Sequence, residues 1–347
     1  MKTTHVAGRT WHYSHCLGRH TAEHNGRTGG YSYPMDVACT DDDILFVISR
    51  GCGDKDQGQG TIDGYCRVGK TTIDEDHIGD FARGGFVWPT SIDISRDGNV
   101  YVSDEYRNNI TIFDNEVVAY PTYDLEGEPQ GHWGEPGSAE GQLDGPSGIE
   151  FDSDDNLFVV DSRNNRVQQF TKGGDLLSAW GTKGSGPGEF DRPWGITIDA
   201  AGDVYVADWG NHRVQKFAAD GAHLMSFGDA GADRLKNPSG VAVDSDGDVY
   251  VTDWGNRRVQ IFEPNGDTIT ALYGDATELS KAGVYNLNRD PESPKRLAAS
   301  EGIMDRLARF GRPLGLAIDA TDRLIVTDGR GRLLVYAKDR DYVPPSV

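Results

Sequence analysis

The chain has 347 residues, of which 45 are glycine and 26% are charged, and its formal net charge is −21 at pH 7. Nucleic acids and anionic membrane surfaces are both bound through clustered lysine and arginine, so we expect neither as a partner. The longest apolar run, Ile44 to Ile48, is far shorter than the ~20 residues that span a bilayer, and the N-terminus lacks the apolar core of a secretory signal. The resulting expectation is a cytoplasmic, acidic protein.

One motif, a proline followed fifteen residues later by an aspartate, recurs along the chain. The pairs in chain order are Pro34 with Ser49 (where the aspartate is lost), Pro89 with Asp104, Pro146 with Asp161, Pro193 with Asp208, Pro238 with Asp253, and Pro313 with Asp328. A repeat of this length predicts one supersecondary unit per copy, stacked on its neighbours to bury a continuous core.

Each copy is predicted to form four strands. Apolar residues alternate from Trp194 to Asp199, a glycine-containing turn follows, and Val204 to Asp208 forms the next strand. A third strand is predicted at Arg213 to Phe217 and its counterparts. The fourth strands end in an apolar residue and a glycine, at Ile78-Gly79, Trp133-Gly134, Trp180-Gly181, Phe227-Gly228 and Tyr273-Gly274. An aromatic or branched residue lies twelve positions after each proline and is expected to pack one repeat against the next: Phe46, Tyr101, Phe158, Tyr205, Tyr250 and Ile325.

The two ends of the chain each supply part of one repeat. The C-terminal copy stops after a third strand, Leu333 to Ala337, whereas the N-terminus begins with an unpaired strand that ends at Leu17-Gly18. We therefore predict that the N-terminal strand completes the last blade. Such closure leaves no open sheet edge that could pair with another chain.

The predicted fold is all-β, a six-bladed β-propeller of four-stranded blades in a single domain, 1–347. Its parts are a closing strand at 1–18, blades at 34–81, 89–134, 146–181, 193–228, 238–274 and 313–340, and a capping insertion at 275–311.

Three segments resemble NHL repeats. They are Asp161-Ser-Arg-Asn-Asn-Arg-Val, Asp208-Trp-Gly-Asn-His-Arg-Val and Asp253-Trp-Gly-Asn-Arg-Arg-Val. The resemblance covers nearly the whole chain and is strongest in blades two to five. It implies a six-bladed propeller but no single activity, because one fold hosts many functions.

The residues that follow the six prolines are expected to ring the mouth of the channel: Met35, Thr90, Ser147, Trp194, Ser239 and Leu314. The chain is similar in repeat pattern to amidating-lyase propellers, a resemblance that implies zinc-binding histidines at these positions. None of the six is His, Asp, Glu or Cys, so that zinc site is absent in its usual form. The resemblance to calcium-dependent lactonase propellers implies a glutamate near the first inner strand, where Asp36 is the available carboxylate.

Three departures from the repeat fall on the face that carries the loops between second and third strands. The connection 19–33 contains His20 and His24, whose spacing suits a metal on a helix, although its glycines favour a loop. The blade-one loop, 51–64, is unusually long, and Cys52 and Cys66 flank the insertion. A loop of this length is either functional, as a lid or substrate loop, or disordered, and both interpretations remain. The segment 301–310 has helical spacing and predicts an amphipathic cap or brace.

Broken repeat rules tend to collect at functional sites, so the candidate site is drawn from this face. The candidate catalytic residues are His20, His24, Arg50, Tyr106 and Arg107, with His20 and His24 as ligands of a divalent metal if one is used. The candidate substrate-binding residues are Trp194, Trp209, Trp254, Arg163, Arg330 and Glu105. Asp244-Ser-Asp-Gly-Asp248 suggests calcium but lacks the downstream glutamate of an EF-hand loop.

Two functions fit these features. The first is an enzyme of the lyase or hydrolase type that acts on a small organic molecule at the channel mouth, using Arg, Tyr and His as acid–base groups. The alternative is a non-catalytic propeller that binds or scaffolds a protein partner, in which the channel is filled and the irregular loops form the contact surface. Neither the substrate nor the reaction follows from the sequence.

Overall fold

A computed structural model arranges the six predicted repeats as six blades of a β-propeller. It describes residues 2–18, 31, 33–50, 66–82, 86–114, 131–284 and 308–343. Within these residues no helix is long and apolar enough to cross a membrane.

Each blade is an antiparallel sheet whose strands follow one another outward from the channel. Blade one contains β3 (Pro34–Cys39), β4 (Ile44–Ser49), β5 (Arg67–Thr72) and β6 (His77–Phe81); blade two, β7 (Pro89–Ile94), β8 (Val100–Asp104), β9 (Asn109–Phe113) and β10 (Gly131–Trp133); blade three, β11 (Pro146–Phe151), β12 (Asn156–Asp161), β13 (Arg166–Thr171) and β14 (Leu176–Trp180). A two-stranded parallel pair, β15 (Thr182–Lys183) and β16 (Glu189–Phe190), lies in the connection to blade four.

The second half of the ring repeats this order. Blade four contains β17 (Ile196–Ile198), β18 (Val204–Asp208), β19 (Arg213–Phe217) and β20 (His223–Phe227); blade five, β21 (Pro238–Val243), β22 (Val249–Asp253), β23 (Arg258–Phe262) and β24 (Thr268–Leu272); blade six, β25 (Pro313–Ile318), β26 (Arg323–Asp328) and β27 (Arg332–Lys338).

The predicted ring closure is confirmed. The N-terminal strand β2 (Arg9–Gly18) pairs antiparallel with the C-terminal strand β27 and so completes blade six. A further strand, β1 (Thr3–Val6), which the repeat pattern did not predict, folds back on β2 and makes this sheet five-stranded. Trp11 of β2 is buried and donates its indole N–H to the hydroxyl of Tyr250 in blade five, at 2.8 Å. Closure therefore also joins neighbouring blades.

The hydrophobic core lies between the blades as six layers. Each layer contains the predicted second-strand residue of one blade packed against the next blade, which confirms the predicted role of that position. Tyr205 of blade four, for example, packs with Val241 and Val251 of blade five. Burying one such side chain stabilises the fold by about 1.5–3 kcal/mol, so each interface depends strongly on this position.

The repeated aspartate ties each loop to its blade. Asp208 is fully buried, accepts the backbone N–H of Asp191 at 2.9 Å and pairs with Nε of Arg213 at 2.9 Å. Equivalent carboxylate–arginine pairs occur in blades three, five and six. In blade one the replacement Ser49 is buried, and its hydroxyl has no hydrogen-bond partner among the residues that the structure describes.

One local prediction was wrong, and a second falls mainly on residues that the structure does not describe. In blade one the outer strand does not end at Ile78-Gly79, because Phe81 pairs with Val68 and packs against Phe46, while Ile78 is exposed. The predicted helix 301–310 lies mainly outside the described residues. Its described end, 308–310, is not helical, because Arg309 bridges to Gly274 and the backbone N–H of Phe310 bonds to Tyr273.

Candidate functional site

The six inner strands surround a central cavity of about 300 Å³. Of the predicted ring residues, Met35, Thr90, Trp194, Ser239 and Leu314 line it. Ser147 is fully buried instead, and its hydroxyl donates to the carbonyl of Trp194 at 2.8 Å. The cavity therefore begins at the predicted ring and extends along the inner strands.

The two ends of this cavity differ in exposure. At the ring end Met35 is 4% exposed and Leu314 8% exposed. At the other end the residues Cys39, Ile198 and Ile318 are half-buried. Met35 and Leu314 are thus more buried than these three residues, whereas Trp194 at the ring end is half-buried as well.

Three carboxyl groups border the cavity, one from each of three neighbouring inner strands: Asp36, Asp93 and Glu150. Asp36 accepts the backbone N–H of Ile92 at 3.3 Å. Asp93 accepts the backbone N–H of Phe151 at 2.7 Å. The carboxylates of Asp36 and Asp93 thus accept hydrogen bonds from the next blade, and both residues line the cavity together with Glu150.

The environment of these carboxyl groups favours their neutral forms. Burial raises the pKa of Asp36 to about 6 and, together with the charge of Asp36, the pKa of Asp93 to about 7, against the hydrogen bonds that lower both. Burial, and then the charges of Asp93 and Asp36, raise the pKa of Glu150 well above its usual range, while a hydrogen bond to Thr197 opposes this. Because two negative charges in one cavity repel each other, Glu150 favours its protonated form near neutral pH, and Asp93 is only partly ionised there.

Sequence reasoning missed Asp93 and Glu150. Both occupy the fourth position after the inner proline, where the other blades have small residues: Ala38, Thr197, Ala242 and Ala317. The sequence signal that could have identified them is a charged residue at a position where the other repeats have a small one. Asp36 was noted, but as a lone carboxylate.

Three of the predicted residues meet on the loop face. The carboxylate of Glu105 accepts from Nη2 of Arg50 at 2.7 Å and from Nη2 of Arg163 at 2.9 Å. Arg50 also donates to the hydroxyl of Thr90 at 3.1 Å, and Thr90 lines the cavity. The structure thereby brings together side chains from blades one, two and three beside the channel.

Tyr106 lies next to this group. Its ring is 6.3 Å from that of Trp88, which in turn lies under the guanidinium of Arg50 at 5.4 Å. Arg50, Trp88, Glu105, Tyr106 and Arg163 are called the rim cluster below. Arg107 is exposed in the same loop, and its backbone N–H donates to Asp104 at 3.1 Å.

The remaining candidates are spread around the ring. Trp209 lies under Arg192 at 5.1 Å, and Trp254 lies under Arg312 at 4.7 Å. Arg330 donates to the carbonyl of Arg309 at 3.2 Å. Trp194 and Trp254 pack beside Met35 and Leu314 at the ring end of the channel. In the described chain the rings of Trp209 and Trp254 make no contact with each other that would form the predicted aromatic sandwich.

The predicted metal ligands His20 and His24, and the blade-one loop 51–64, lie outside the described residues. Within the described residues no group of three or more His, Cys, Asp or Glu side chains is arranged to hold a metal ion. The thiol of Cys66 donates to the carbonyl of Arg50 at 2.7 Å, next to the rim cluster, while Cys52 is not described.

The NHL repeat model matches residues 143–170, 190–217 and 235–262, which span the inner three strands of blades three, four and five. The chain is a six-bladed β-propeller that contains three NHL repeats. No curated protein is significantly similar to this propeller in sequence.

Solved structures share the fold at low identity. Virginiamycin B lyase from Staphylococcus aureus is 12% identical, with a TM-score of 0.55 over 94% of this propeller and 99% of that chain. A gluconolactonase from Xanthomonas campestris is 13% identical, with a TM-score of 0.57 over 97% and 94%. A Bacteroides thetaiotaomicron protein of unknown function is 15% identical, with a TM-score of 0.61 over 95% and 76%. At these identities the likeness concerns the fold alone.

Proposed function

We propose that the protein is an enzyme of the lyase or hydrolase type that acts on a small organic molecule in the central channel. The observation that carries this proposal is a cavity of about 300 Å³ that contains carboxyl groups with raised pKa values. A volume of this order suits a small ligand, and perturbed carboxyl groups in a cleft are typical of acid–base sites. The similar fold of a lyase and of a gluconolactonase is compatible with such chemistry.

The roles follow from the shifted pKa values. Glu150, whose pKa is raised well above its usual range, favours its protonated form near neutral pH and is suited to donate a proton to a leaving group. Asp93, whose pKa is about 7, is partly ionised there and is suited to accept a proton from water or from an acidic carbon. Proton abstraction followed by elimination describes a lyase, and activation of water describes a hydrolase.

The proposal is tested by turnover of a panel of lactones, aryl esters and cyclic depsipeptides. We expect at least one member to be converted, and Glu150→Gln to reduce kcat by about 10²-fold or more, as loss of a general acid does. Ala317→Phe, which fills the channel, should abolish turnover while the protein stays folded. Asp229→Asn alters an exposed carboxylate and serves as the matched control.

Two outcomes would reject the proposal. One is a panel without turnover by the native protein. The other is turnover that survives both Glu150→Gln and Ala317→Phe. Either outcome would favour the alternative of a protein-binding propeller.

A further inference from the structure

We infer that the rim cluster is a second ligand site, which binds a carboxylate attached to an aromatic ring. The cluster lies on the loop face, and its residues are distinct from the channel carboxyl groups to which the proposed chemistry is assigned. Its components are a pair of arginines held by one glutamate and a pair of exposed aromatic rings.

The arginines are fixed in place by Glu105. Oε2 of Glu105 accepts from Arg50 at 2.7 Å and Oε1 accepts from Arg163 at 2.9 Å, so Glu105 of blade two bridges blades one and three. The side chain of Glu105 is 14% exposed, whereas that of Arg163 is 45% exposed. Nη1 of Arg163 also pairs with Asp144 at 3.3 Å, but a guanidinium has five N–H donors in a planar fork, so Arg163 keeps further N–H groups for a ligand carboxylate.

The described charges of the cluster balance one another. Arg50, Arg163 and Arg107 lie beside three acids, Glu105, Asp144 and the buried Asp104, whose carboxylate accepts the backbone N–H groups of Tyr106 and Arg107. The whole chain carries −21, and acidic residues fill the turns between first and second strands on the opposite face. An anionic ligand therefore meets less repulsion at the rim cluster than at those acidic turns.

The aromatic rings supply the second half of the site. Tyr106 is 64% exposed and Trp88 43% exposed, and their rings meet at 64° with centroids 6.3 Å apart. Folding leaves this apolar surface in water, which is typical of a binding site. A flat ligand ring can pack against Tyr106 and Trp88 while its carboxylate reaches Arg163.

The repeat indicates that the fold does not require this arrangement. Glu105 occupies the first position after the repeated aspartate, where the other blades have Arg50, Ser162, Trp209, Trp254 and Gly329. In the described part of the chain, Arg192 over Trp209 and Arg312 over Trp254 share no carboxylate with a second arginine. The arrangement of one glutamate between two arginines is therefore a departure from the repeat, beyond what blade packing needs.

The test is calorimetric binding of 1-naphthoate, with the uncharged 1-naphthamide as the matched probe. We expect the native protein to bind naphthoate at least tenfold more tightly than naphthamide. Arg163→Gln should remove this preference, and Tyr106→Ala should weaken binding of both probes about fivefold. Arg257→Gln, an exposed arginine in a loop of the same face, should leave both affinities unchanged.

Equal affinity for the two probes, no binding of naphthoate, or unchanged preference in Arg163→Gln would overturn the inference. Naphthoate binding that is lost in the channel-filling Ala317→Phe but kept in Arg163→Gln would place the probe in the channel. That result would overturn the rim site and leave the proposed channel chemistry standing. Because binding is measured without turnover, failure of the channel proposal leaves this test intact.

Discussion

At the scale of single residues, the channel carboxyl groups differ most from the repeat. In four blades the fourth inner-strand position holds alanine or threonine, which fit beside the neighbouring strand. Asp93 and Glu150 bring ionisable groups to the same place, where burial opposes their charge. The folded protein therefore favours the protonated form of Asp93, and its free energy of unfolding falls when a rise in pH removes that proton.

The pH dependence of stability follows with its sign. The pKa of Asp93 is about 7 in the folded protein and about 3.8 when the group is unperturbed, so between these pH values the folded state binds the extra proton. The contribution of Asp93 to the free energy of unfolding therefore falls as pH rises from about 4 to about 7. Asp93→Asn removes this loss while its amide oxygen can still accept the N–H of Phe151.

We predict that the Tm of Asp93→Asn, relative to the native protein, increases between pH 5 and pH 8. Thermal unfolding followed by circular dichroism measures this difference, and Asp229→Asn provides the reference for an exposed carboxylate. A difference that does not change with pH would contradict the assigned pKa.

The sequence pointed to the rim residues but not to the channel residues, and the role of either group stays a prediction. Arg50 follows the lost aspartate of blade one, whereas Glu105 and Arg163 were chosen as polar groups of the loops between second and third strands, which meet on one face in any propeller. Asp93 and Glu150 lie within alternating strands, where a charged residue is equally compatible with a solvated face. Whether such a side chain borders a channel depends on how six strands converge, which no local pattern contains.

At the scale of secondary-structure elements, the turn of blade five and the last strand of blade six form one buried ionic group. Nζ of Lys338 lies 2.6 Å from Asp244, 2.8 Å from Asp246 and 2.9 Å from Asp248. The lysine side chain is 3% exposed. This is the turn whose aspartates suggested calcium in the sequence, and in the structure an ammonium supplies the positive charge instead.

We predict that Lys338→Met lowers the free energy of unfolding by about 3 kcal/mol, because removing one partner leaves buried carboxylates uncompensated. Arg9, which pairs with Asp248 at 2.7 Å, offsets part of this loss. Urea unfolding measures the change. Lys281→Met removes an exposed lysine, 64% accessible in its side chain, and should change stability by less than about 1 kcal/mol. Equal effects of the two substitutions would show that the buried group does not stabilise the interface.

Strand positions were largely predictable, because proline, the glycine turns and the buried aromatic residues mark them. The errors in strand position arose where one of these sequence features was ambiguous or missing. Gly79 resembled the terminal glycine of other blades, yet the strand continues to Phe81, which is buried between blades one and two. Strand β1 has no mark, because it lies outside the repeat.

At the scale of the whole molecule, the ring is held shut by pairing between the two ends of the chain. Residues of β2 pair with β27 from Trp11 opposite Lys338 to Gly18 opposite Arg332. Without β2, blade six would lose its outer strand and expose the buried edge of β27. The layer between blades five and six would also lose the side chains of Trp11 and Tyr13.

We predict that deleting residues 2–18 abolishes cooperative unfolding, whereas deleting residues 2–7, which removes only the exposed strand β1, lowers Tm by a few degrees at most. Differential scanning calorimetry distinguishes the two variants. A 2–18 deletion with the native Tm would contradict closure by the N-terminal strand.

Architecture was the most predictable property of the molecule, because six copies of one spacing and the unequal ends of the chain determine the number of blades and the manner of closure. The proposed function was the least predictable property. It is assigned to residues that depart from the repeat, and the side chains next to them are known only from the assembled ring. The channel carboxyl groups and the rim cluster are two such departures.

Carbon-13 NMR titration of the aspartate and glutamate carboxyl carbons tests most directly whether the channel holds an acid–base pair. We predict one aspartate resonance with a midpoint near pH 7 that is absent in Asp93→Asn, and a glutamate resonance with a midpoint well above the usual range of glutamate that is absent in Glu150→Gln. If every carboxyl carbon titrates below pH 5, both groups are ionised at neutral pH, and the channel cannot perform the proposed chemistry.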